Sequence, residues 1–402
     1  MLSLEEANQL IREKFKDYPV KTEEVDVWEG INRIIAEDII ASVDVPGFSR
    51  SMCDGYAVIA SDTRTASEEA PVLLEYLGEV PPGDSANIEI KEGQCIYVST
   101  GSMMPSGADA SIMVEQTRLQ DQESVLIYKP VFNGERIIKR GDDIKNGQLL
   151  IKKGNRISPK HVGALVAAGI YQVKVFTRPR FAIISTGDEL VDIGENPAEG
   201  QIRDTNSYAL QAFINKFGGE VVRRVLVRDN RDLYQRELEN AVKCADMVLV
   251  SGGCSVGIRD FTAEAINALP GEGVFIQGVS IRPGRPLIVG ECMGKPVFGL
   301  PGHPIAPVIL FKIVVEKLWN HLVGCIEEAD VVKAVVDFDM RPAVFTHLLV
   351  QLERGEGLIR VKAAGPGNPA QTSAVSQADG YIWIKDPEAG LRRGGISEVY
   401  IF

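Results

Sequence analysis

Between residues 179 and 325, short unbroken apolar runs alternate with segments whose apolar residues recur every three or four positions. The run 247–250 is short, apolar and without alternation, which predicts a strand buried on both faces, and 181–185, 221–227 and 296–300 read as further strands. The intervening stretches 206–217, 231–243 and 258–269 carry helical spacing, with Gly218-Gly219 closing the first and Pro270 ending the third. A further helix is expected after Pro304. Strand–helix alternation of this kind predicts a doubly wound parallel sheet, whose ligands sit beyond the carboxyl ends of the strands.

The pattern changes on either side. Residues 327–402 hold short alternating runs such as 348–352 and 381–384, broken by Gly and Pro, and predict a small β-barrel. Residues 44–144 are also β-rich and full of turns. They read as an insertion into an elongated linking domain built from the flanks 1–43 and 145–178, the second flank carrying a helix over 162–168. The expected fold class is therefore multidomain α/β plus β, with the α/β domain at 179–326. A chain of 402 residues suits two to four domains.

Composition narrows the function. With 55 acidic against 43 basic side chains the net charge is −12, which argues against nucleic-acid or anionic-membrane partners. No apolar stretch is long enough for a membrane span, and Ser3 to Glu6 read as a helix capping box, not part of a signal peptide. Six scattered cysteines without a CxxC pair read as free thiols of a cytoplasmic protein. The four histidines form no HExxH or i, i+4 pair, and no Walker loop or Gly-x-Ser-x-Gly elbow occurs. Any chemistry rests on carboxylates, hydroxyls, Arg and Lys, with an oxygen-loving cation such as Mg²⁺.

The α/β region repeats one device, a strand end followed by a polar turn, usually with glycine or proline. STGDEL (185–190), RDTNSY (203–208), VRDN (227–230), SGGCSVGIRDF (251–261), IRPGRPL (281–287) and GLPGHP (299–304) are its instances. Each has two readings. Asp204 and Asn206 suit a helix cap as well as a ligand contact. Asp229 suits a solvated ion pair with Arg228 as well as a metal site. Ser251, Gly252 and Gly253 suit a tight turn as well as an anion-binding helix start. On a shared rim, Glu189, Asp229 and Asp260 could hold a divalent cation beside a phosphate. Arg282 and Arg285, each followed by proline, offer stiff forks for an oxyanion. In the first half, SRSMCDGYAV (49–58), VSTGSMMPSGADA (98–110) and NGERIIKRGDDI (133–144) are each structural when taken alone, and Asp54-Gly55 reads as a hairpin turn.

Taken together and in order, SMCDGYAV, TGSMMPSGADA, RGDDI, STGDEL, DTN, SGGCSVGIRDF, RPGRP and GLPGHP resemble the MoeA/gephyrin E-domain family, the molybdopterin molybdenumtransferases. The resemblance runs from about residue 44 to 304. It implies four domains, one of them a MogA-like α/β domain, and a homodimer whose cleft joins one subunit's α/β domain to the other's inserted domain. It implies the final step of molybdenum-cofactor synthesis, in which adenylylated molybdopterin and molybdate (or tungstate) give the cofactor with release of AMP. Asp54, Thr100, Asp143 and Glu189 match acids and a hydroxyl on which the family's activity depends, with Asp260 among the catalytic group. Asp229 and Asp260 match acids near nucleotide and Mg²⁺, with Glu189 as a third metal candidate. Ser255, Arg282 and Arg285 match the substrate and oxyanion site, to which Asp204, Asn206, Ser251, Gly252, Gly253, Pro301 and Gly302 belong by position. A MogA-type adenylyltransferase is the implied partner. Alternatives are a MogA-like adenylyltransferase activity on the same α/β domain, a tungstate-inserting enzyme, and a dimeric scaffold without catalysis. The chain departs from the commoner family pattern at Arg282 and Arg285 (where many relatives have Lys), at His303 and Ala306, and over Val344–His347.

Overall fold

In a computed structural model the chain is described at residues 1–252, 258–326, 330–340, 346–355, 358–365, 371–385 and 389–402, and at 258–261 by its backbone alone. Gly253 and Ser255, expected from the sequence to line the site, and the side chain of Asp260 lie outside the described residues.

A six-stranded sheet forms the α/β region, in the spatial order Glu220–Val227, Arg180–Thr186, Met247–Ser251, Lys295–Leu300, Ile288–Cys292, Gly273–Gln277. Side chains alternate between two cores, which is why the strands Arg180–Thr186, Met247–Ser251 and Lys295–Leu300 read as nearly solid apolar runs. Phe181, Ile183, Leu249 and Phe298 face one cluster, while Ala182, Ile184, Val248, Val250 and Val297 face the other. The first four strands are mutually parallel. The sheet is not parallel throughout, contrary to the sequence expectation: Ile288–Cys292 runs antiparallel to both neighbours. The cause is local. Met293 (φ 52°) and Gly294 (φ 79°) form a two-residue turn with both residues left-handed, pairing Cys292 with Lys295 as a hairpin.

The inserted region forms a second six-stranded sheet, in the order Ala110–Met113, Gly55–Val58, Gln94–Val98, Val72–Val80, Ser124–Ile127, Thr117–Leu119. Strands from the two flanking segments pair with each other, Thr22–Asp26 with Gln172–Phe176 and Ile39–Ile40 with Leu149–Ile151. They pack around Val27, Ile35, Ile157 and Leu165. The C-terminal region is a closed five-stranded barrel filled by Leu348, Val350, Val361, Ile382 and Val399. The N-terminal helix Leu4–Phe15 carries the expected capping box, Ser3 with Glu6, and adds Ala7 and Ile11 to the core of the α/β sheet. No helix among the described residues is long and apolar enough to cross a membrane.

Candidate functional site

The register of the four parallel strands brings their carboxyl ends side by side. Thr186 is level with Val227, Ser185 with Ser251, and Ser251 with Leu300. Gln277 pairs with Ile288, which pairs with Gly299, so the Arg-Pro loop 278–287 opens on the same rim. The polar turns that leave Thr186, Val227, Ser251 and Leu300 therefore start on one edge, together with the loop 278–287.

Hydrogen bonds stitch this edge together. The Thr186 hydroxyl donates to the Asp229 carboxylate at 3.0 Å, and the Asp229 amide donates to Asp188 at 3.2 Å. Asp229 is thus held by the neighbouring strand end and not by Arg228. A Cβ at Gly187 would lie 2.7 Å from a Glu189 carboxylate oxygen, so the Glu189 side chain folds back over the glycine. Asn206 donates to the Ser251 hydroxyl at 3.0 Å and to the Gly302 carbonyl at 2.7 Å, bridging two strand ends from the first turn of helix Asn206–Phe217. Asp204 is different: it is buried, and its two oxygens accept from the Ser207 amide and hydroxyl as a helix cap does. Of this pair, one residue caps and the other bridges. Gly252 has φ 123°, and a Cβ there would meet the Thr186 carbonyl oxygen at 2.0 Å, so glycine is demanded by the close approach of two strand ends. Pro301 is buried and Gly302 half-buried in the turn beyond Leu300.

Arg282 and Arg285 are both exposed, and among the described residues neither guanidinium has an ion-pair partner. The Arg282 backbone is tied to the barrel. Its amide donates to the Thr346 hydroxyl at 2.9 Å, and its carbonyl accepts from the amides of Thr346 and His347. Thr186, Asp188 and Asp229 are the oxygen-bearing side chains that hydrogen bonds join at the rim. Among the described residues no group of three or more His, Cys, Asp and Glu side chains is poised as a metal site. On the flank of the rim, the Tyr208 hydroxyl donates to Asp192 at 2.6 Å and accepts from Arg224, whose guanidinium lies 3.5 Å from the Tyr208 ring. The hydrogen bond to Asp192 raises the Tyr208 pKa, and the same bond lowers that of Asp192.

A second polar surface lies on the inserted sheet. Asp54 is exposed and accepts the Thr100 amide at 2.7 Å across 46 residues of sequence. Ser51 pairs with Ile137, and the Met52 amide donates to the Arg136 carbonyl, which brings in the segment ending at Asp143. Asp143 is exposed, its amide held by the Val45 carbonyl at 3.0 Å. Parts of three motifs that read as separate structural turns thus meet around Ser51 and Asp54, with Asp143 anchored apart from them at Val45. The hairpin reading of Asp54-Gly55 is corrected: Gly55 starts a strand between Ala110–Met113 and Gln94–Val98, and a Cβ there would lie 1.8 Å from the Ile112 carbonyl oxygen. Thr186, Asp188 and the buried hydroxyls of Ser51 and Ser111 went unread in the sequence, where nothing distinguishes them from other strand-end hydroxyls and acids.

Two cavities, of about 390 and 800 Å³, lie away from both surfaces, beneath helix Leu4–Phe15 and against the barrel. They share Arg12, Lys317, Tyr381 and Tyr400. His347, in the wall of the smaller one, stacks on Trp383, and burial followed by the nearby Lys317 charge pushes its pKa down to about 4. Neither cavity touches a carboxylate or glycine turn of the rim, so the rim remains the candidate for chemistry.

Comparison with known proteins agrees with this geometry. Residues 2–169 match the family model described as "MoeA N-terminal region (domain I and II)", and residues 182–321 match "Probable molybdopterin binding domain". The molybdopterin molybdenumtransferase of Haemophilus influenzae is 33% identical over 98% of this chain and 97% of its own length. That of Staphylococcus aureus is 31% identical over 100% of this chain and 95% of its own. The crystal structure of the molybdopterin biosynthesis MoeA protein from Pyrococcus horikoshii superposes with a TM-score of 0.83 at 36% identity, covering 100% of this chain and 99% of that one. The chain belongs to the MoeA family of molybdopterin molybdenumtransferases.

Proposed function

We propose that this protein inserts molybdate into adenylylated molybdopterin and releases AMP, as a Mg²⁺-dependent cytoplasmic homodimer. The observation that carries the reading is the single rim of polar turns on the parallel sheet, within the residues that match a molybdopterin-binding family model. The turns that open at Ser251-Gly252 and at 299–302, with the Asn206 bridge between them, receive the pterin and its phosphates through backbone N–H groups. Arg282 and Arg285 receive the tetrahedral oxyanion, to which two guanidinium forks offer charge-assisted hydrogen bonds. Glu189, Asp229 and Asp260 would hold Mg²⁺, which when bound supplies charge neutralisation at the phosphoryl oxygens. Thr186 keeps the Asp229 carboxylate fixed at the rim.

Asp54, Thr100 and Asp143 serve the same reaction from the inserted sheet, reaching the rim of a second copy. The division into 1–43 with 145–178, 44–144, 179–326 and 327–402 accompanies this reading, with a MogA-type adenylyltransferase supplying the substrate. The test is cofactor formation from adenylylated molybdopterin, Mg²⁺ and either molybdate or tungstate, following AMP release. Metal insertion coupled to AMP release supports the proposal, and the two oxyanion arms assign the metal. Transfer of AMP from ATP to molybdopterin, without insertion, would replace it by the adenylyltransferase activity.

A further inference from the structure

Beneath Asp54 three side chains close on one another. The Ser51 hydroxyl donates to the Cys53 carbonyl at 2.7 Å and accepts from the Cys53 amide at 3.3 Å. It also lies 2.9 Å from the Ser111 hydroxyl, which in turn lies 3.5 Å from the Cys53 sulfur. Ser51 is 1% and Ser111 0% exposed. Proton counting orders the set. A carbonyl only accepts, so the single Ser51 proton goes to the Cys53 carbonyl. Ser111 must then donate to Ser51, and the Cys53 thiol donates to Ser111. The result is a ring with one direction: Cys53 thiol to Ser111, Ser111 to Ser51, Ser51 to the Cys53 carbonyl.

Ser111 sits in the strand Ala110–Met113, whereas Ser51 ends the short strand Arg50–Ser51 and Cys53 lies on the turn that follows it and presents Asp54. The ring therefore clamps the turn to the sheet one residue before Asp54. The same turn is held to the Thr100 loop by the Gly101 amide, which donates to the Ser51 carbonyl at 2.9 Å. We infer that Ser51, Cys53 and Ser111 are positioning residues, which fix the Asp54 carboxylate against the Thr100 amide. The consequence for turnover rests on the function proposed above; the clamp itself does not.

The two are separable in one experiment on the full-length protein. Ser111→Ala removes the proton that orders the ring, and Ser51→Ala cuts the ring from the turn side. Cys53→Ser keeps a donor in place. Exchange of the Thr100 amide should rise roughly five- to tenfold in either alanine variant, as for the loss of one net hydrogen bond, and stay at the parental rate in Cys53→Ser. The Tyr56 and Ile112 amides, in the strands beside the clamp, serve as the internal reference. With adenylylated molybdopterin and molybdate, kcat should fall in the alanine variants while KM stays within about twofold. Unchanged Thr100 exchange in both alanine variants would overturn the clamp. Faster exchange with undiminished kcat would uphold the clamp and overturn the role of Asp54 in the reaction.

Discussion

The α/β rim and the inserted sheet gather their polar residues by different means. On the rim, topology does the gathering: four parallel strands end on one edge, so any polar residue placed just after a strand arrives there. On the inserted sheet, the pairing of Gly55 with Val98 brings Asp54 toward Thr100, and individual long-range contacts add the rest, Asp54 with Thr100, Ser51 with Ile137, and Ser51 with Ser111. A rim of the first kind tolerates the loss of one contact, because the sheet still aligns the ends. A surface of the second kind has less reserve, because part of it rests on single contacts. Both regions share one device, a glycine that lets two backbones approach: Gly252 at the Thr186 carbonyl and Gly55 at the Ile112 carbonyl.

The largest effects should come from the exposed acids. Asp54→Ala and Asp229→Ala should each lower turnover at least about a hundredfold while leaving the urea midpoint close to that of the parent, since neither side chain is buried. Equal loss from both regions would sharpen the comparison; a large loss from the rim alone would break it. Next come the glycines. A Cβ at Gly55 meets the Ile112 carbonyl oxygen of the neighbouring strand, so Gly55→Ala should cost about 3 kcal/mol or more in urea unfolding. Gly252→Ala, at a strand end, should cost less in stability than in ligand affinity. Arg285→Ala should weaken molybdate use roughly ten- to a hundredfold, the worth of one charge-assisted hydrogen bond, with AMP affinity unchanged by calorimetry. Loss of AMP binding with normal molybdate dependence would reassign Arg285 to the nucleotide phosphate.

The smallest effect concerns pH. His347 has its folded pKa depressed to about 4 by burial, so the unfolded chain takes up its proton first as pH falls. Its contribution to stability is complete above about pH 6.5 and is lost between there and about pH 4. Because the His347 amide holds the Arg282 carbonyl, the Arg loop should loosen over the same window. A pH series of melting temperatures for the parent and His347→Phe checks this, the variant showing a shallower decline.

The α/β strands and helices were legible in the sequence because their apolar runs must fill cores on both sides, and the closing signals at Gly218 and Pro270 are local. The antiparallel strand Ile288–Cys292 escaped because Met-Gly is a weak hairpin signal, left-handed at both residues only in the folded turn. The Asp54 surface was illegible from the residues alone for a related reason. Its second and third segments lie 40 or more residues from the first, and each makes sense as a turn by itself. Only their order as a family pattern hinted at a joint role. The Asn206 bridge likewise follows from the rim, whereas Asp204, beside it, obeys the local capping rule.

The claim that ties the two regions together is that the inserted sheet of one copy completes the rim of another. Mixing Asp54→Ala and Asp229→Ala proteins, with subunit exchange verified by mass spectrometry, tests it directly through AMP release in the presence of molybdate. Random pairing into two-fold dimers leaves one site in four free of both substitutions, so activity should recover to about a quarter of the parental rate. Activity that stays at the level of the separate variants after full exchange would place both acids in the site of a single chain and contradict the account.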